Sequence, residues 1–183
     1  MPRMRAKRSK RDRPSVNPGH RPGVRPAGPA DGEALARIYN HYVTRTAVSF
    51  EEQPVAAAEL ARRVADSRAA SLPWLVAEEA GRVLGYAYAV KWKVRSAYRF
   101  SVEVGVYLDP KALRRGLGTS LYDRLFPLLE ARGVHSALAG IALPNPASVA
   151  LHEKFGFKQA ALYREVGFKF GRWIDVGTWQ RIL

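Results

Sequence analysis

The stretch Arg114-Arg115-Gly116-Leu117-Gly118-Thr119 constrains this chain more than any other. It follows an apolar, β-branched run, Ser101–Leu108, which Asp109-Pro110 ends, and it opens a segment of helical character. A strand, a two-glycine loop and a helix start, in that order, form a socket for an anion. Glycine lets the backbone come close to a ligand. The first N–H groups of the helix have no internal partner and sit at the positive end of its dipole, where phosphate is the usual guest. Two arginines add charge and forked donors. The spacing is not the P-loop, which needs Gly-x-x-x-x-Gly-Lys-Ser/Thr, and it lacks the third glycine of the dinucleotide fingerprint. Taken alone, the segment reads equally as a helix start with glycine punctuation and two solvated arginines.

The downstream sequence favours the socket. Ser136–Leu143 is another apolar run, and Pro144-Asn145-Pro146 follows it. Asn145 suits a helix cap and Pro146 the first turn. Ala147, Val149, Ala150, Leu151 and Phe155 give that helix an apolar face, and Gly156 ends it. Upstream, a short strand is expected at 24–27. A helix capped by Asp31 or a neighbour runs through Leu35, Ile38, Tyr39 and Tyr42, and a loop over 44–54 carries Phe50. A second helix spans about 55–68. Strands at 74–79 and 82–92 join at Ala80-Gly81. The glycine-loop helix is expected over 116–132 with a kink at Pro127. Two last strands fall at about 157–166 and 173–182.

With 183 residues and 47% hydrophobic composition, one domain with a sizeable core is expected. The chain has no cysteine, which excludes disulfides, thiolate metal sites and a cysteinyl acyl-enzyme. No metal site is expected. No apolar run approaches the roughly 20 residues that span a bilayer, and the chain reads as cytoplasmic. The formal charge of +14 suggests nucleic acid at first sight, but residues 1–25 hold nine basic residues against Asp12 alone. That block lacks aromatics and nearly all aliphatic residues, so residues 1–23 are expected to be a disordered extension and 24–183 the domain. Such an arm can touch nucleic acid or acidic lipid weakly and without specificity. It offers no ring for base stacking. Its alternative readings are a solvated tail or an over-long start, with Val24 as first residue.

The order strand, glycine loop, helix, strand, Asn-capped helix and Phe155-Gly156-Phe157 resembles the GNAT superfamily of acetyl-CoA-dependent N-acetyltransferases over 24–183. Within it the chain is most similar to the phosphinothricin and methionine sulfone/sulfoximine acetyltransferases. The narrower resemblance rests on six blocks: Ile38-Tyr39-Asn40-His41-Tyr42, Pro73–Glu78, Trp92-Lys93-x-Arg95-x-Ala97-Tyr98, Val102-Glu103-x-x-Val106-Tyr107, Leu151-His152-Glu153, and Gly171-x-Trp173-x-Asp175-Val176-Gly177-x-Trp179-Gln180. The chain departs from the superfamily at Leu113, where Gln or Arg is usual. The side-chain contribution to phosphate binding then falls to Arg114 or Arg115.

The resemblance implies an α/β (α+β) fold: a central mixed, mostly antiparallel twisted sheet of about seven strands flanked by about four helices. It implies a homodimer and a small amino-acid-like substrate. It also implies acetyl-CoA held by the main chain of Val106, Tyr107 and Leu108, the loop Arg114, Arg115, Gly116, Leu117, Gly118 and Thr119, the Asn145 side chain and Lys154. Glu103 is the candidate base. It is a lone acid in an apolar strand, where burial raises its pKa, and it matches the family's proposed base. His152 and Tyr107 are second candidates, for proton relay or thioester contact and for donation to the departing sulfur. The family's substrate loop maps onto Lys93, Val94, Arg95 and Tyr98. Glu103 and the two residues after it, Val104 and Gly105, are also expected to contact the substrate, Phe50 is an expected lid, and Trp173 and Asp175 have expected wall and dimer roles. The readings kept beside this one are acetylation of another amine (a protein N-terminus, polyamine or antibiotic) and, in a different class, a nucleic-acid-binding protein using the basic arm.

Overall fold

Seven strands and four helices follow one another in the computed structural model, which describes residues 22–183. The expectation for the basic segment therefore lies outside the described residues, except at its end, where Gly23 already pairs with Glu78. The elements are β1 (Gly23–Pro26), α1 (Gly32–Arg45), α2 (Ala57–Ala69), β2 (Trp74–Glu79), β3 (Arg82–Lys91), β4 (Ser101–Leu108), α3 (Leu117–Glu130), β5 (Ser136–Ala142), α4 (Pro146–Lys154), β6 (Lys158–Lys169) and β7 (Arg172–Ile182). They form a single sheet in the order β1-β2-β3-β4-β5-β7-β6. Every pair is antiparallel except β4–β5, because α3 is the crossover that returns the chain to run alongside β4. The expected mixed seven-stranded α/β fold is the one observed. Among the described residues no helix is long and apolar enough to cross a membrane.

Each sheet face has its own core. On one face α3 lays down Leu117, Leu121, Tyr122, Leu125, Phe126 and Leu129, all buried and spaced to form one helical stripe, against Ala87, Ala89, Val102, Val104 and Ala139. On the other face Leu35, Ile38, Val43, Leu60 and Val64 of α1 and α2 pack on Trp74, Val76 and Tyr86. That second pair of helices lies over β2, β3 and β4 only, and the same face of β5–β7 stays open.

Several local expectations need correction. Asp31 precedes α1 but does not cap it. Its carboxylate accepts two bonds from Arg25 at 2.8 and 2.9 Å and one from the Gly28 amide at 2.8 Å. It thereby closes the 3-10 turn Pro29–Asp31. The helix α3 runs unbroken through Pro127, because Phe126 and Leu129 on either side are held in the core. It ends at Glu130, two residues early, where Gly133 (φ +71°) and Val134 turn back their amides onto Glu130 and Leu129. The strand β6 runs on to Lys169, past the expected end at 166, with a bulge around Glu165 (φ +50°). The carboxylate of Asp175 accepts from the Glu165 amide at 2.8 Å, so it holds that bulge.

At the end of α2 the chain makes the same type of turn as after α3, with Ser71 at φ +57° in the left-handed position. A non-glycine residue there costs about 1 kcal/mol. Ser71→Gly is expected to raise stability by about 0–0.6 kcal/mol, the relieved strain being partly offset by the greater conformational entropy that glycine gives the unfolded chain. Denaturant midpoints at unchanged slope would show it.

Candidate active site

The strands β4 and β5 pair over only three residues, Ser101↔Ser136, Val102↔Ala137 and Glu103↔Leu138, and then part. Asp109 donates its amide to Leu84 O, so strand alternation turns the peptide groups of 103, 105 and 107 towards β3 and those of 104, 106 and 108 towards β5. In the same way Leu143 N bonds to Asp175 O, which turns Gly140 and Ala142 towards β4. Beyond Glu103 the main-chain groups of Val106 and Leu108 therefore face a gap with no strand opposite. Leu108 O is taken by Tyr42 OH at 2.7 Å. A slot of about 90 Å³ opens there, bordered by Val106, Gly140, Ala142, Asn145 and His152. A ligand arm with amide groups can extend the sheet in this gap.

One end of the slot is built for an anion. Arg114 (φ +61°) and Gly116 (φ +76°) are both left-handed, a backbone arrangement that converges N–H groups. Only glycine takes such a φ without strain. Gly118 serves a different purpose. A Cβ there would come 2.9 Å from Leu151 Cδ2, so its absence lets α3 and α4 close up. The Lys154 ammonium, at the end of α4, donates to Thr119 Oγ1 at 3.2 Å and places a positive charge over the α3 N-terminus. Arg115 turns away and pairs with Glu79 at 2.6 Å. Arg114 is exposed and has no ion pair among the described residues. Of the two arginines left open by Leu113, Arg114 is thus the one whose charge is uncommitted. The neighbouring Asp109 fixes the loop. Burial would raise its carboxyl, but the Lys111 amide and the guanidinium groups of Arg37 and Arg82 outweigh that and hold it at about 2.

Glu103 stands on the opposite face of the sheet from α3, where α1 and α2 leave off. Its carboxylate opens into a basin of about 730 Å³ between the sheet, the loop 46–52 and β6. Tyr107, Gly140, Ala142 and Glu103 border both the slot and the basin, so the two spaces meet at this carboxylate. Surrounding protein desolvates Glu103 and raises its pKa above the usual carboxylate range, partly offset by the charge of Lys93. Tyr88 lies over Gly105, where a Cβ would come 2.6 Å from its ring and hydroxyl. Tyr107 meets Tyr39 edge-on at 5.0 Å and Tyr42 at 5.3 Å, and burial keeps its phenol protonated. Phe50 covers the basin from the loop, its ring seated on the backbone of Gly167.

The other expected site residues fall into two groups. Asn145 caps α4 by accepting from the Ser148 amide at 3.2 Å and also borders the slot. His152 lies in the slot wall, but both ring nitrogens are engaged. Nδ1 donates to Ser148 O and Nε2 accepts from Tyr122 OH, each at 2.8 Å, and burial lowers its pKa. Val104 and Gly105 flank Glu103 in the slot. The peptide groups of Tyr107 turn to β3, so of the three expected main-chain contacts only Val106 and Leu108 face the gap. Lys93, Val94, Arg95 and Tyr98 stand on an exposed loop outside both cavities, with Val94 99% exposed. Lys93 and Tyr98 gather on Trp92, at 5.1 Å each. Trp173 packs on Phe168 at 4.9 Å and is otherwise exposed. Sequence reasoning missed Tyr88, Gly140, Val48, Val166 and Phe168. Gly140, a glycine inside an apolar strand, carried a signal of close backbone approach. The others had none, since they converge from three separate elements.

The sequence profile described as acetyltransferase (GNAT) domain matches residues 24–178. Phosphinothricin N-acetyltransferase of Streptomyces viridochromogenes is 43% identical over 170 residues, covering 91% of each chain. L-methionine sulfoximine/L-methionine sulfone acetyltransferase of Salmonella typhimurium is 39% identical over 156 residues, 84% of this chain and 90% of that one. Among solved structures, a GNAT superfamily phosphinothricin acetyltransferase from Sinorhizobium meliloti in complex with AcCoA superposes with a TM-score of 0.86 at 38% identity. It covers 90% of this chain and 89% of that one.

The charge geometry predicts unequal arginines. Arg114→Ala and Lys154→Ala are each expected to weaken coenzyme A binding about 3- to 10-fold. Arg115→Ala should change it less than about twofold, its charge being spent on Glu79. Titration calorimetry with coenzyme A reads all three.

Proposed function

We propose that this chain, which belongs to the GNAT acetyltransferase family and is an acetyl-CoA-dependent N-acetyltransferase, acetylates the α-amino group of a small amino-acid analogue directly, with Glu103 as general base. The proposed acceptor is of the phosphinothricin, methionine sulfone or methionine sulfoximine type. The observation that carries the reading is the meeting of slot and basin at Glu103. The residues fit the cofactor: a free strand edge at Val106 and Leu108 suits its amide-bearing arm, and the α3 N-terminus with Arg114 and Lys154 suits its diphosphate. Bound there, acetyl-CoA supplies a thioester that is open to attack from the basin side.

Glu103 takes a proton from the acceptor ammonium and frees the lone pair for attack. A carboxylate with a raised pKa is a better proton acceptor than an ordinary one. Tyr107, kept protonated by burial, is the proposed donor of a proton to the leaving sulfur. His152, with both nitrogens engaged, serves as a thioester contact held by Tyr122 and Ser148. Lys93, whose charge already acts on Glu103, is the proposed partner of the acceptor carboxylate, with Arg95, Val94 and Tyr98 on the same loop. Phe50 closes the basin. A homodimer is part of this reading. The long edge strand β6 exposes Leu162, Tyr163, Val166 and Phe168, an apolar surface on an unpaired edge. A cytoplasmic, detoxifying role follows from the proposed acceptors.

Glu103→Gln is expected to lower kcat on the order of 100- to 10 000-fold at neutral pH, with coenzyme A binding unchanged. Glu103 must be ionised to act, so wild-type kcat/KM falls as pH drops through its raised pKa, and the variant loses that acid limb. Wild-type turnover in the variant would remove Glu103 from the mechanism. A thiol-release panel of phosphinothricin, methionine sulfone, methionine sulfoximine, polyamines, aminoglycosides and N-terminal peptides decides the acceptor. Preference for any of the last three would favour the other-amine reading.

A further inference from the structure

We infer that Lys169 is a positioning residue that sets the width of the acceptor basin without touching the acceptor. This rests on the reading that the basin takes the acceptor. Lys169 ends β6 and is only 2% exposed. Its ammonium donates to three main-chain carbonyls: Val43 at 2.7 Å, Ser49 at 2.5 Å and Glu51 at 2.8 Å. An ammonium has three donors and no acceptor, so the match is complete. Burying such a charge is costly unless every donor is used. Val43 O is one of the carbonyls left without an intrahelical partner at the end of α1. Ser49 and Glu51 flank Phe50, so the lid residue hangs between two of the three anchored carbonyls.

The other side of the arrangement is the far wall of the basin. Two residues before Lys169, the backbone of Gly167 receives the Phe50 ring, where a Cβ would come 2.2 Å from Phe50 Cε1. The bulge that presents Val166 and Gly167 to the basin is closed by Asp175 on the Glu165 amide. One ammonium thus joins the loop wall to the strand wall. The slot for the thioester is lined by β3, β4, β5 and α4, and only Val48 reaches it from the anchored loop. Loosening Lys169 therefore acts mainly on the acceptor side.

The experiment uses the full-length chain with methionine sulfone as acceptor, and compares Lys169→Met, Lys169→Gln, which keeps two donors, and Phe50→Ala. The expected order of acceptor KM is wild type, then Lys169→Gln, then Lys169→Met, with the last raised at least about tenfold. Its kcat should stay within about threefold and its coenzyme A Kd within about twofold. Amide hydrogen exchange over 46–52 should quicken in the same order without acceptor present. Should Lys169→Met fail to fold, Lys169→Gln decides. Unchanged exchange over 46–52 overturns the proposal whatever the acceptor is. So does a coenzyme A Kd that rises in parallel with acceptor KM, or a wild-type acceptor KM in both lysine variants while Phe50→Ala raises it. If Phe50→Ala also leaves acceptor KM unchanged, the assignment of the basin to the acceptor is what falls.

Discussion

The parting of β4 from β5 is the constraint on which the site depends. Three parallel pairs hold the strands together, and the last of them contains Glu103. Past that point each strand keeps only its other neighbour, β3 or β7, and the peptide groups of Val106 and the amide of Leu108 are left facing an open edge, Leu108 O being taken by Tyr42 OH. Backbone donors and acceptors seldom stay unpaired in a folded interior. A break in a ladder is thus a standing demand for a ligand with amides of its own. The Glu103 carboxylate sits at the vertex of the break, where the slot meets the basin on the opposite face.

Charge is distributed so that the right cations remain free. The chain is rich in arginine, but Arg37 and Arg82 neutralise Asp109, Arg115 is tied to Glu79, and Arg25 is held by Asp31 and Glu78. The pairs at Asp109 and Glu79 fix the loop between β4 and α3 and leave Arg114 and Lys154 beside the helix N-terminus. A paired arginine adds little to anion binding, because its charge is already offset. Position in the network, more than the number of basic residues, therefore decides the socket.

The acceptor side follows from incomplete cover. Helices α1 and α2 bury one face of β2–β4 and stop. The same face of β5–β7 is roofed only by the Phe50 loop and by the bulge of β6. Such a roof has few contacts of its own, and polar anchors from Lys169 and Asp175 supply what a packed helix would otherwise give. The two halves of the site differ in kind. The slot is part of the sheet, whereas the basin is assembled on top of it.

Local chemistry made much of this legible. Apolar runs bounded by proline and glycine gave every strand to within a few residues. The glycines at 116 and 156 and the cap at Asn145 marked helix ends, because their effects act within one turn of chain. The order of elements around Arg114–Thr119 pointed to the family, and the lone acid Glu103 to the place where slot and basin meet. Sequence did not reveal that Asp31 serves Arg25, that Arg115 belongs to Glu79, or that His152 has no free nitrogen. It also gave no sign that a lysine 118 residues beyond Glu51 would hold the lid. Each of these is a long-range pairing, chosen by which side chains the sheet brings within about 3 Å. Periodicity and capping are written residue by residue, so the chain alone determined its elements, their order and the chemistry they carry. Partner choice among like charges and donors depends on distances through space, and only the folded sheet could decide it.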